Sequence, residues 1–101
     1  MRYTVEGFNQ KRLVELGLDS TDAVILRWFV DCAIESAIFE GKEYHLVSYQ
    51  KVIDDLPIIG ITNRNNIARR FQKLVDCGIL VKYINDYSFT YFAFVNNMEE
   101  I

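Results

Sequence analysis

From the N-terminus, hydrophobic positions fall into short periodic segments separated by turn-forming residues. Residues 8–16, FNQKRLVEL, set Leu13 and Leu16 three apart beside Val14 and end at Gly17, which predicts a short first helix. Asp19-Ser20-Thr21-Asp22 then supplies side-chain acceptors for unpaired amides and negative charge for the positive end of a helix dipole. A second helix is predicted over about Thr21 to Phe39. Along it Arg27, Asp31 and Glu35 recur every four residues as a narrow polar stripe, while Val24, Ile25, Leu26, Trp28, Phe29, Val30, Ile34 and Ile38 cover most of the remainder. A helix so patterned is buried on more than one side. Two arrangements satisfy that: a central core helix, or one that shares part of its surface in a dimer.

Glu40-Gly41-Lys42 breaks this period, and the aromatic and β-branched residues from Glu43 to Tyr49 predict a short strand. Tyr49 to Leu56 returns to helical spacing, with Val52, Ile53 and Leu56 on one face, and Pro57 stops it. After a turn through Ile58-Ile59-Gly60-Ile61, Thr62 offers an N-cap to a strongly periodic helix. In that helix Ile67, Phe71, Leu74 and Val75 form an apolar stripe, and Gly78 ends it. Leu80 to Ile84 and Phe89 to Val95 read as two strands of a hairpin turned by Asn85-Asp86-Tyr87-Ser88. The tail, Asn96 to Ile101, is expected to fray.

The order is therefore helix, helix, strand, helix, turn, helix, hairpin. It predicts one domain over residues 1–101 of α+β class, a winged helix-turn-helix that is mainly helical with a small antiparallel sheet. The helix-turn-helix spans about 49–77, and a C-terminal β-hairpin wing spans about 79–95.

Composition supports a folded domain, since 50% of the 101 residues are hydrophobic and no stretch is rich in Pro, Gly and Ser. The longest nearly apolar run, Ala23 to Phe39, is interrupted by charge and too short to span a bilayer. Met1 to Gly17 reads as a polar amphipathic segment and not as a leader, so the expected compartment is the cytoplasm, with no membrane partner. Cys32 and Cys77 lie within apolar helical patterns and are expected to be buried free thiols. The formal charge is −3, but it is unevenly spread. Thr62 to Val75 holds four cations, Arg64, Arg69, Arg70 and Lys73, and no acid, which leaves the rest of the chain at −7.

That basic segment coincides with the second helix of the helix-turn-helix, the element that enters the major groove of DNA in such motifs. Asn63, Arg64, Asn65 and Asn66 occupy its N-terminal turn. Arginine pairs with the O6 and N7 of guanine through two parallel hydrogen bonds, and asparagine does the same with the N6 and N7 of adenine. Asparagine is a mediocre helix former, so helicity alone does not account for three of them beside an arginine. Arg69, Arg70 and Lys73 are suited to phosphates. The plainer alternative is that these cations complement the helix dipole and the acidic body. The hairpin tip adds nothing basic nearer than Lys82, and Tyr87 and Tyr91 are expected to pack across strands.

Catalysis finds no purchase. His45 is expected to be an ordinary satisfied side chain, Asp54 and Asp55 diverge on a helix, and no phosphate loop, metal-ligand cluster or nucleophile motif is present. The expectation is a binding protein that is not an enzyme and takes no cofactor.

Three segments, YTVEGFNQKRLVELGLDSTDAVILRWFVD, YQKVIDDLPIIGI and NIARRFQKLVDCGIL, together resemble the N-terminal winged helix domains of bacteriophage and plasmid replication proteins, of the replisome-organiser and primosome-initiation kind. The resemblance spans almost the whole chain. It implies binding of origin DNA through a recognition helix that maps onto Asn63, Arg64, Asn66, Arg69 and Arg70, and self-association into a homodimer. Such proteins continue into a second domain that engages helicase loading. A stand-alone version would act as a repressor, or as a phage-encoded inhibitor that targets a host protein. Duplex DNA, a second copy and a protein are thus the expected partners.

Overall fold

The computed structural model describes residues 4–85 and 89–95; the expected frayed tail and the Asp86-Tyr87-Ser88 part of the last turn lie outside them. The chain opens with a small antiparallel pair, β1 (Thr4–Val5) and β2 (Phe8–Asn9), joined through Glu6 and Gly7 at φ 54° and 84°. The first helix, α1 (Gln10–Glu15), therefore begins later than residue 8, and Asn9 caps it by accepting the N–H of Arg12 at 3.2 Å. The next helix, α2 (Ser20–Cys32), starts on a reciprocal capping box: Asp19 accepts the N–H of Asp22 at 2.9 Å, and Asp22 accepts that of Asp19 at 3.0 Å.

The predicted extension of this helix to Phe39 is incorrect. Ala33 leaves helical geometry at φ −84° and ψ 74°, and the chain forms β3 (Ser36–Phe39) paired with β4 (Lys42–Leu46). Glu40 and Gly41 turn this hairpin at φ 53° and 79°, the left-handed values that a type I′ two-residue loop needs at both central positions. Ending the helix at Cys32 also overturns the expectation for that thiol, which is exposed; Cys77 is part-buried, and both are free.

From there the order follows the predicted one. Ser48 caps α3 (Tyr49–Asp55), which stops before Pro57; a 3-10 turn, Pro57–Ile59, leads to Gly60 at φ 70° and then to α4 (Arg64–Asp76). The hairpin β5 (Leu80–Ile84) and β6 (Thr90–Phe94) closes the domain.

The class is α+β, but the sheet is larger than predicted and the last hairpin is not a separate wing. β6 pairs with β4 through His45–Phe92 and Leu46–Tyr91, which joins the two hairpins into one four-stranded antiparallel sheet of order β3-β4-β6-β5. The register puts Phe92 and Phe94 on the side that meets the helices. There Phe71 lies 4.8 Å from Phe92, and Phe29 lies 5.6 Å from Phe94, between ring centroids. Phe71, Phe92, Ile25, Leu26, Ile67 and Leu74 are all fully buried, and each contributes about 1.5–3 kcal/mol by leaving water. On the opposite side Phe39 stacks on Tyr83 at 4.1 Å and meets Tyr91 at 5.0 Å. Tyr91 thus packs across strands as expected, while Tyr87 lies outside the described residues. Among the described residues no helix is long and apolar enough to cross a membrane.

Candidate nucleic-acid interface

The site is built on α4. Its apolar stripe, Ile67, Phe71 and Leu74, is fully buried and docks the helix against α3, α2 and the sheet. At about 100° per residue, Asn65, Arg69, Gln72 and Asp76 fall on the opposite side, and all four are exposed. Asn66 flanks this line and is exposed, and Arg64, in phase with Phe71, is exposed as the first residue of the helix. Neither Arg64 nor Arg69 has an ion-pair or hydrogen-bond partner among the described residues. Four of the residues singled out from sequence are therefore accessible, Asn65 and Arg69 on the outer face with Asn66 beside them, and Arg64 at the N-terminal end of the helix.

The other three do different work. Asn63, and not Thr62, is the N-cap, and its side-chain oxygen accepts the N–H of Asn65 at 2.7 Å. Capping explains one asparagine of the run without any ligand. The carbonyl of Asn63 also takes the N–H groups of Asn66 and Ile67, at 3.0 and 3.4 Å. Among the first-turn amides this leaves the N–H of Arg64 for an anion.

Arg70 and Lys73 turn toward the start of α2. Arg70 Nη1 donates to both carboxylate oxygens of Asp19, at 2.9 and 2.8 Å, and to Oδ1 of Asp22 at 3.1 Å. Lys73 Nζ reaches Oδ2 of Asp22 at 2.6 Å. Asp22 is completely buried, the one charged side chain among the buried residues described, and its carboxylate is shared between two cations and the N–H of Asp19. Partial burial tends to raise the Asp19 carboxyl, but the hydrogen bonds from Arg70 and from the N–H of Asp22, together with the charges of Arg70 and Lys73, outweigh it and bring it down to about 2. The same contacts, the Asp19 hydrogen bond first, raise the Arg70 guanidinium above its ordinary value. These four residues form a clamp between α2 and α4, so half of the basic segment's charge is met within the molecule.

Asp22 and Gln72 are the residues that sequence reasoning missed. Asp22 was legible as a helix-start acid, and its place three residues after Asp19 signals the capping box, but nothing local announces that two cations from a distant helix converge on it. Gln72 lies on the exposed line of α4 and donates to Asp76 at 2.8 Å.

Among the described residues, the acids and the histidine weighed for catalysis each have separate surroundings. Asp54 accepts from Gln50 at 3.0 Å, and Asp55 accepts from the indole of Trp28 at 2.8 Å. His45 departs from expectation, because its Nδ1 is buried with no hydrogen-bond partner among the described residues. Its Nε2 lies 3.5 Å from Glu43, and the ring meets Phe29 edge-on at 5.8 Å. No family model, curated protein or solved structure matches the chain.

Proposed function

We propose that this chain is a winged helix-turn-helix module that recognises duplex DNA, with α3 and α4 as the helix-turn-helix and α4 as the element that enters the major groove. The observation that carries the reading is the exposed set Arg64, Asn65, Asn66 and Arg69, whose cations are unpaired among the described residues. Arg64, Asn65 and Asn66 are the base-reading residues, in the first turn where side chains of a recognition helix reach base edges. Arg69, one turn further along, meets a phosphate. Asn63 serves as the cap, and Arg70 and Lys73 hold the helix in place. The resemblance to phage and plasmid replication proteins favours replication initiation, or its control, as the setting.

The experiment is fluorescence anisotropy of the pure chain with a pool of random-sequence duplexes across a salt series. Two cations at the interface give a dependence of log affinity on log salt with a slope of about −2. Arg64→Ala removes sequence preference among selected duplexes, and Arg69→Ala weakens all duplexes alike and flattens the slope by about one. Absence of binding at low salt refutes the reading. That outcome favours the second reading, a protein-binding module such as a phage-encoded inhibitor. Its support is the −3 net charge combined with the internal neutralisation of Arg70 and Lys73.

A further inference from the structure

Natural sheets protect their edges, because a row of unpaired N–H and C=O groups is a template for another strand. In the order β3-β4-β6-β5, both β3 and β5 are edges. β5 carries Lys82, the charged residue that commonly guards an edge. β3 reads Ser-Ala-Ile-Phe, with no charge, no proline and no bulge in its pairing to β4. The strand carries Ile38, 71% exposed, and two residues before its start lies Ile34, 82% exposed, two of the most exposed apolar side chains among the described residues.

The hydrogen-bond pattern determines which residues face outward. Leu46 donates its N–H to the carbonyl of Glu35 at 2.8 Å. In an antiparallel ladder, the residues bonded to the inner partner alternate with those whose polar groups point away. Glu35, Ala37 and Phe39 therefore bond inward to β4, and Ser36 and Ile38 present their backbone groups to the free edge. Ile34 shares this outward alternation, but its N–H is taken by the carbonyl of Cys32 at 3.0 Å, leaving its carbonyl.

We propose that this chain forms a two-fold dimer by antiparallel pairing of β3 with β3 of a second copy, with Ser36 opposite Ser36 and Ile34 opposite Ile38 at both ends. Outward-facing residues must oppose each other, and this parity excludes the register that would set Glu35 against Glu40. Among the symmetric registers that remain, centring on Ser36 matches the two exposed isoleucines twice and places Glu35 against Ala37. Ile34, Ser36 and Ile38 share one face of the strand, so the four isoleucines meet on a common side. There Ile34 borders a hollow of about 170 Å³ lined also by Trp28, Cys32 and Lys51. Ile38 of the second copy comes to rest beside that hollow. The seam lies in the part of the chain first assigned to the long helix, and it uses backbone edge groups that a helix would not have offered.

Sedimentation-equilibrium measurements on the full chain over a wide concentration range test the pairing. The expected result is a reversible monomer–dimer equilibrium that Ile38→Lys weakens about a hundredfold or more, since each dimer loses two buried side chains and gains two charges at the seam. Ile38 is largely exposed in the monomer, so the variant folds; an unchanged circular dichroism spectrum and melting temperature verify this. The register is read in a Cys32→Ser background by oxidation: Ser36→Cys cross-links to a dimer in high yield, and Ala37→Cys does not. A chain that stays monomeric at the highest concentration, or a dimer indifferent to Ile38→Lys, overturns the proposal. Faster cross-linking through Ala37→Cys than through Ser36→Cys overturns the register.

Discussion

Removing the Asp22 carboxylate is the sharpest test of what holds the candidate recognition helix in place. Asp22 is 0% exposed and meets Lys73 at 2.6 Å, Arg70 at 3.1 Å and the N–H of Asp19 at 3.0 Å. Deleting one partner of a buried ion pair costs about 3–5 kcal/mol when the other charge is stranded in the interior. Here neither cation is stranded. The side chains of Arg70 and Lys73 are 29% and 38% exposed, so both regain water, and Arg70 keeps its two bonds to Asp19. The loss is then two charge-assisted hydrogen bonds and one cap bond, offset by rehydration, or about 2–3 kcal/mol for Asp22→Ala. For a domain of this size that lowers the melting temperature by roughly 8–24 °C. Asp22→Asn keeps an acceptor for the cap and loses about half as much. Urea denaturation of the two variants against the parent measures both values. A loss below about 0.5 kcal/mol for Asp22→Ala would show that the clamp contributes no more than a surface ion pair.

Four further outcomes follow from individual contacts. If the proposed duplex binding holds, Asp22→Asn frees Lys73 while Asp19 still holds Arg70, so the salt dependence steepens by about one phosphate, read by the same anisotropy series; a flatter slope contradicts the clamp as the reason that cation is withheld. The Asp19 carboxyl sits at about 2 in the folded chain against an ordinary 3.8, and a depressed folded value means that its contribution is complete above the ordinary value and fades as pH falls through the folded one. Stability to urea therefore drops between about pH 4 and pH 2, and Asp19→Asn removes that part of the decline. Trp28→Phe deletes the indole donor that, before Lys51, holds the Asp55 carboxyl below its usual range, so an NMR titration finds Asp55 moved upward. Gly41→Ala meets no atom within 4 Å, but its φ of +79° is left-handed, so it costs about 1 kcal/mol through backbone strain alone.

How far the fold is legible from sequence depends on whether a local pattern has one solution. Ile67, Phe71 and Leu74 have one: their spacing is helical, a cap and a glycine bound them, and α4 forms where predicted. The stretch after Cys32 has two. Ala33, Ile34, Ala37, Ile38 and Phe39 satisfy a buried helix, and Glu35 even continues the four-residue recurrence of Arg27 and Asp31. The last of them also fit an edge strand, whose burial alternates between exposed and part-buried from Ser36 to Phe39. Pairing with β4 decides between them, and the local clue is the turn and not the strand. Glu-Gly occurs at 6–7 and at 40–41, and each pair closes a two-residue antiparallel hairpin with both residues at positive φ. Once that turn forms, Phe39 is brought back over Tyr83 and Tyr91, an aromatic contact no continuous helix could make.

The site divides along the same line, between what one helix determines and what two determine. Exposure of Asn65, Asn66 and Arg69 follows from the phase of α4, because the buried stripe dictates which residues are left outside; Arg64 is in phase with Phe71 and is exposed as the first residue of the helix. Capping by Asn63 instead of Thr62 is a choice between adjacent residues that differ little in capping strength, and local backbone geometry makes it. The fate of Arg70 and Lys73 belongs to neither scale: they are basic residues on a basic helix, and only the packing of α2 against α4 brings them to Asp19 and Asp22, about fifty residues earlier. The segment's charge of four was therefore a poor measure of what it offers a partner. Two of those charges are spent on holding the helix, and the two that remain set how strongly salt can act on anything that binds there.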